Sequence, residues 1–484
     1  MLHQLKNTTN QTITTNGDTA FHSTFDAVLD LFGKGGAMRR DKEEFVRLFD
    51  KALAESAELA VKTLFYLRDV RGGQGERDVF RAGLRHLANV KGQKAEHLIS
   101  LVAEYGRFDD LFVLFDTPLE KAMVSFVKEQ LQQDIKGKEA GENISLSAKW
   151  MPSENASSKE TRALAKRFVK AFGQKPTEYR KMLVSLRNHI DIVESHLSND
   201  DVQGIDYEKI PSKAHQQYRE AFKRRDTERY DAYLTAVENG EKKVNASTLY
   251  PYDIVHRAMN THEEDKTLDV LWNNLPDFTG GKKDNSLVVV DVSGSMQGYE
   301  PNAPIKVAMG LGLYISERNE GLFHNHFLTF SERPQLVEVK GTTILNKIRN
   351  MAREDWGYNT NLQKTFKLIL DTAVRNNLPK DEMVSRLIIV SDMQFDSAVE
   401  DSSGRVIDHA KKAFETAGYT FPEIIFWNVA GHSTVPVTKN ESGVALVSGA
   451  SPSTLKAILA CEDVSPVKLM LDVLLAERYA PVTL

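Results

Sequence analysis

The chain has 484 residues, 41% of them hydrophobic and 27% charged, which describes a globular protein, neither fibrous nor disordered, long enough for two or more separate cores. Lys and Arg number 62 against 67 Asp and Glu, a formal net charge of −5, so a nucleic acid or membrane partner would have to be met by a local patch. One cysteine, Cys461, excludes an internal disulfide and the multi-cysteine zinc sites. The polar, Thr/Asn-rich start lacks the apolar core of a signal peptide, and no apolar run approaches the length that spans a bilayer. The expectation is a cytoplasmic protein with no membrane partner.

In chain order, residues 1–20 read as a flexible polar arm, and 21–280 as a helical domain. Apolar residues recur there at three- and four-residue spacing, as in Phe45-Val46-Leu48-Phe49-Leu53 and Ala60-Leu64-Phe65-Leu67, and strand signals are nearly absent. Gly, Pro and Asn interrupt the pattern at Arg71-Gly72-Gly73-Gln74-Gly75, Gly106, Pro118, Pro152 and Gly204–Pro211. Such short helix pairs suit an irregular helical array, although no repeat of fixed period is visible.

The polar stretch Gly280-Gly281-Lys282-Lys283-Asp284-Asn285 precedes an abruptly β-rich Leu287-Val288-Val289-Val290, which marks a boundary. Residues 285–484 then alternate strand and helix. Strands are predicted at Leu287–Asp291, Phe323–Phe330, Leu387–Ser391 and Glu423–Asn428; helices at Ile305–Ser316, Leu362–Arg375, Val406–Ala417 and Pro466–Tyr479. Strands apolar on both faces in a βαβα order predict an α/β doubly wound domain, a parallel sheet covered on both sides. The whole is therefore multidomain, an all-α array followed by a Rossmann-like α/β domain.

Directly after the first buried strand stands Asp291-Val292-Ser293-Gly294-Ser295. In an open α/β sheet, ligands collect beyond the carboxyl ends of the strands. One carboxylate and two hydroxyls at alternating positions offer oxygen ligands to a single hard cation, magnesium or manganese, with water completing the shell. Two later strand-end loops carry further oxygens: Thr360 in Trp356-Gly357-Tyr358-Asn359-Thr360-Asn361, and Asp392 in Ser391-Asp392-Met393. A surface turn is the plainer reading of Asp-x-Ser-x-Ser taken alone; the preceding strand and the two ordered loops favour the metal. No nucleophile stands beside a base and no Gly-x-Ser-x-Gly elbow occurs, so the expectation is a protein that is not an enzyme.

These three loops, in this order, resemble the metal-ion-dependent adhesion site (MIDAS) of von Willebrand factor type A domains. The resemblance implies that Asp291, Ser293, Ser295, Thr360 and Asp392 hold Mg2+ or Mn2+, and that a partner protein completes the metal with an acidic side chain. In the helical half, Tyr66-Leu67-Arg68-Asp69-Val70-Arg71-Gly72-Gly73-Gln74-Gly75-Glu76-Arg77 and Tyr105-Gly106-Arg107-Phe108-Asp109-Asp110-Leu111 set Arg beside carboxylates around glycine turns. The plainer reading is interhelical turns locked by Arg–carboxylate bonds. With a type A domain downstream, these phrases look like the TROVE module of the Ro ribonucleoproteins and their plant, phage and giant-virus relatives; Lys149-Trp150-Met151-Pro152-Ser153, Pro251-Tyr252-Asp253-Ile254-Val255 and Phe426-Trp427-Asn428 resemble those relatives rather than Ro itself. The likeness implies HEAT-like repeats and an RNA-binding ribonucleoprotein scaffold.

RNA needs a local cationic surface. Residues 159–187 hold nine basic residues against Glu160 and Glu178, a net of +7. Arg162, Lys166, Arg167, Lys170, Arg180, Lys181 and Arg187 from that stretch are candidate RNA contacts, together with Arg77, Arg81 and Arg85, which share a helix face at four-residue spacing. The alternative is a solvated face balanced by acidic neighbours. The leading expectation is thus a non-enzymatic Ro-like RNA-binding scaffold, the alternative an assembly component that captures a partner carboxylate through its metal. His324, His326, Cys461 and the glycines of Met309-Gly310-Leu311-Gly312 read as packing residues.

Overall fold

The computed structural model describes residues 9–280, 285–331, 333–354, 361–396, 405–431, 434–461 and 464–484. From 22 to 280 the described residues form helices and 3-10 turns without a strand, as the periodicity predicts. The helix Lys42–Glu55 starts where the Asp41 side chain accepts from Glu44 N, and it buries Phe45, Leu48, Phe49, Ala52 and Leu53 on one stripe. The next helix, Ala57–Arg68, is buried from Ala60 onward, so it runs through the array with neighbours on all sides. Further along, Lys159–Phe172 ends at Gly173 in a left-handed conformation and is followed by Pro176–Ile190, with proline in its first turn.

The expected flexible arm is a docked hairpin over its described part. Strands β1 (Gln11–Ile13) and β2 (Thr19–Phe21) pair antiparallel around Asn16-Gly17, and they bond the C-terminal half. Phe21 exchanges backbone hydrogen bonds with Val435, both 2.9 Å. Thr14 Oγ1 donates to Phe395 O at 2.6 Å, and Thr15 N donates to Gln394 Oε1 at 2.8 Å.

Downstream lies a six-stranded sheet of β3 (Ser286–Val290), β4 (His326–Thr329), β5 (Leu336–Glu338), β6 (Arg386–Ser391), β7 (Glu423–Asn428) and β8 (Val444–Ser448). Its order is β5-β4-β3-β6-β7-β8, all parallel except for the edge strand β5, which is antiparallel to β4. The sheet is therefore mixed where an all-parallel one was expected, and β5, β8 and the helix Ile344–Ala352 were not foreseen. One face carries Val288, Val290 and Ile388 against the helix Pro304–Arg318, with Trp427 further along the same face. The other carries Val289, Ile389 and Phe426 against the helices Leu362–Arg375 and Val406–Thr416.

The halves share a core, although each also keeps a smaller apolar cluster of its own. The largest apolar cluster runs from Val28 through the helical array and one sheet face to Val482. The helix Ala27–Gly35 also covers the β8 edge, where Ser448 Oγ donates to Phe32 O at 2.9 Å and accepts from Gly36 N at 3.0 Å. A C-terminal clasp completes the union: Arg478 Nη2 donates to Asp69 Oδ1 at 2.6 Å, Tyr479 OH to Asp69 Oδ2 at 3.1 Å, and Lys62 Nζ to Tyr479 O at 2.7 Å. Among the described residues no helix is long and apolar enough to cross a membrane.

Candidate functional site

β3 and β6 lie side by side at the centre of the sheet, with Val290 opposite Val390. Beyond β3 the order steps to β4, and beyond β6 to β7, so the reversal that opens a crevice in doubly wound sheets falls between these two strand ends. Asp291 and Asp392 leave the sheet at this point and are both fully buried. Asp291 N donates to Val390 O at 3.0 Å, holding the two turns together.

Asp291 is fixed at both oxygens. Oδ1 accepts from Ser293 N at 2.9 Å and Oδ2 from Ser391 Oγ at 2.6 Å. Asp392 Oδ1 accepts from Gln394 N at 3.1 Å. The hydroxyls of buried Ser293 and exposed Ser295 lie 3.1 Å apart and bond each other. Burial, and next the charge of Asp392, push the Asp291 carboxyl up to about 7; no Lys or Arg pairs with Asp291 among the described residues. Two buried like charges beside a pair of hydroxyls are a hard-oxygen set that suits a divalent cation. Among the described residues no three His, Cys, Asp or Glu side chains gather as a metal cluster, so a cation here would rest on the two carboxylates, hydroxyls and water. Thr360 lies outside the described residues. Its neighbour Asn361 caps the helix Leu362–Arg375, accepting from Lys364 N at 2.9 Å.

Ser391, which orients Asp291, was not singled out from the sequence, although it directly precedes Asp392. The N-terminal hairpin was missed as well: Asn16 Nδ2 donates to Gln394 O at 2.8 Å, so its tip grips the loop that carries Asp392.

The ten basic candidates divide into two groups. Arg81 is spent on Asp109 and Asp110, both at 2.7 Å, and Arg85 on the carbonyls of Val113 and Phe115. Arg162 donates to the Ala156 and Ser157 carbonyls, and Arg167 makes a bidentate pair with Asp116, 2.8 Å each, over the Phe115 ring. Arg187 clamps Ala148 O, Met151 O and Ser153 Oγ. These five act as fasteners within the fold. Lys166, Lys170, Arg180 and Lys181 are exposed and carry no ion pair among the described residues; exposed Arg77 lies 3.4 Å from Asp78.

The Arg- and Gly-rich turns are structural too. Asp110, fully buried, takes Arg68 and Arg81 at 2.7 Å each. The Gly72–Gly75 turn wraps the end of its own helix, where a Cβ on Gly73 would stand 2.0 Å from Tyr66 O. Gln74 Nε2 donates to Tyr66 OH and Thr454 Oγ1 at 2.6 and 2.7 Å, tying the turn to the C-terminal half. Gly310 and Gly312 serve close packing: a Cβ would meet Tyr252 N at 2.8 Å and Val290 Cγ2 at 2.5 Å respectively. His324 and His326 bond local carbonyls, and Cys461 is buried.

Comparison with known proteins places two domains on this frame. Residues 14–91 and 91–277 match a family described as a domain of unknown function (DUF2828), and residues 285–473 match another (DUF7788). The chain is also 30% identical, over a 508-residue alignment, to the "Uncharacterized protein L728" of Acanthamoeba polyphaga mimivirus, covering 96% of this chain and 87% of that protein.

Proposed function

We propose, from the crevice itself, a non-enzymatic recognition scaffold that holds Mg2+ or Mn2+ and presents it to a partner carboxylate, in a chain that belongs to the DUF2828 family and joins that domain to a DUF7788 domain. In this reading Asp291, Ser293 and Ser295 ligate the ion, with Asp392 and Thr360 binding directly or through water. The observation that carries it is the convergence of two fully buried carboxylates with a hydroxyl pair at the reversal point of the sheet. The strand order and the loop order also support the likeness to von Willebrand factor type A domains. The hydroxyls of Ser293 and Ser295 bond each other, and no imidazole or amine reaches either among the described residues, which favours binding over nucleophilic chemistry.

A partner carboxylate needs an open coordination position. Water-proton relaxation of Mn2+ added to EDTA-stripped protein reads this directly. Bound Mn2+ should show enhanced relaxation that falls when an Asp-bearing peptide displaces water, and Asp291→Asn should abolish the enhancement. Enhancement that survives Asp291→Asn and Asp392→Asn would overturn the assignment.

A second reading, the Ro-like RNA scaffold, draws on the exposed Lys166, Lys170, Arg180 and Lys181. They stand on two successive helices and are free to meet phosphates. Its test is a salt-dependent shift of structured RNA. No shift at low salt would remove it.

A further inference from the structure

We infer that the N-terminal hairpin is a positioning element for the cation site: by clamping the loop after β6 it holds both carboxylates in their binding arrangement, so that cation binding and hairpin docking are coupled. This rests on the cation reading above and adds to it a control exerted by residues 14–18.

The loop is strained where it leaves the sheet. Met393, between Asp392 and Gln394, is buried with a φ of 65°, in the left-handed region that a residue with a Cβ rarely adopts. Such a conformation persists only where its surroundings fix it. Both carboxylates depend on it. Met393 N donates to Ser391 Oγ at 3.1 Å, and that hydroxyl donates to Asp291 Oδ2 at 2.6 Å. Gln394 N donates to Asp392 Oδ1 at 3.1 Å. A change of backbone at residues 393–394 therefore reaches Asp291 and Asp392 together.

The hairpin grips the same loop from outside. Asn16 Nδ2 donates to Gln394 O at 2.8 Å, Thr15 N to Gln394 Oε1 at 2.8 Å and Thr14 Oγ1 to Phe395 O at 2.6 Å, while Gly17 forms an antiparallel bridge with Asp396. Gln394 is thus held by the hairpin at its carbonyl and its side chain, and it holds Asp392 through its N–H. The tip that does this is itself ordered. Thr14 and Asp18 are buried, Thr14 N donates to Asp18 O at 2.9 Å and Gly17 N to Thr14 O at 3.1 Å. Groups behind the direct ligands that fix ligand orientation raise metal affinity. The coupling is reciprocal, so a bound cation must in turn stabilise the docked hairpin.

The test uses full-length protein, with Mn2+ affinity read by water-proton relaxation and amide hydrogen exchange measured with and without Mg2+. Asn16→Ala and Thr14→Val each remove one bond to the loop, and each should weaken Mn2+ binding about three- to tenfold with circular dichroism unchanged. Ile13→Ala, at an exposed position of the same hairpin, should bind like wild type. In wild type, Mg2+ should slow exchange at the amides of Thr15 and Asp18, which donate to Gln394 and Phe395. That measurement needs no variant and decides alone if a variant does not fold. Unchanged Mn2+ affinity in both folded variants, an equal loss in Ile13→Ala, or Mg2+ that binds without slowing those two amides overturns the hairpin's role and leaves the cation reading standing. Absence of Mn2+ binding by wild type overturns the cation reading, and the coupling with it.

Discussion

His215 gives the sharpest stability prediction. Its ring is fully buried among Tyr207, Phe222, Tyr230 and Tyr233, with Nε2 3.0 Å from Tyr230 OH and Nδ1 without a partner among the described residues. Burial lowers its pKa from 6.5 to about 4. The folded state thus resists the proton more than the unfolded chain does. The stability is complete above the unfolded value and is lost as pH falls from 6.5 towards 4. Between pH 7.5 and 5 the loss is about 2 kcal/mol, approaching about 3 kcal/mol at pH 4. In His215→Phe the ring volume remains and the titration goes. Tyr230 OH keeps Thr267 Oγ1 at 3.1 Å, so the variant should be weaker by only about 1 kcal/mol at pH 7.5. The order should then reverse at pH 5. Urea unfolding of both proteins at the two pH values measures this. Parallel pH dependences, or an NMR titration placing His215 near 6.5 in the folded protein, would refute the reasoning.

Two further outcomes follow from the contacts that join the halves and from the basic helix faces. Asp69→Asn strips the clasp of its charge while Arg478 remains partly exposed, so urea unfolding should show a loss of about 1–3 kcal/mol, in one transition because the core is shared. If RNA is a ligand, Lys166→Glu with Arg180→Glu should weaken binding about tenfold and reduce the salt slope by about 2. Arg187→Ala should instead lower thermal stability, since its guanidinium fastens the loop from Ala148 to Ser153.

Much of the α/β half was legible in the sequence because its strands are buried on both faces and read as continuous apolar runs. The predicted strand Glu423–Asn428 and helix Leu362–Arg375 match the observed elements. β5 escaped notice because it is three residues long with only Val337 buried. The hairpin over residues 11–21 escaped for a different reason: its polar composition suggested an arm, although Asn16-Gly17 between β-branched residues is a strong hairpin signal. The helical half showed its period but not its destination, since nothing local says that Ala27–Gly35 covers β8. The two strand-end carboxylates were legible as such, because Asp291 and Asp392 each directly follow a buried strand. Which basic side chains stay free was not, because sequence counts arginines without showing which carbonyls and carboxylates already hold them. The carboxylates of Asp109, Asp110 and Asp116 lie 28 to 51 residues away from the arginines they hold.

Calorimetric titration of Mg2+ into EDTA-stripped full-length protein reads the proposed cation site itself. One site per chain is expected, lost in both Asp291→Asn and Asp392→Asn and weakened in Ser293→Ala, with the variants still folded. No binding by wild type, or an undiminished site in the two Asn variants, would contradict it.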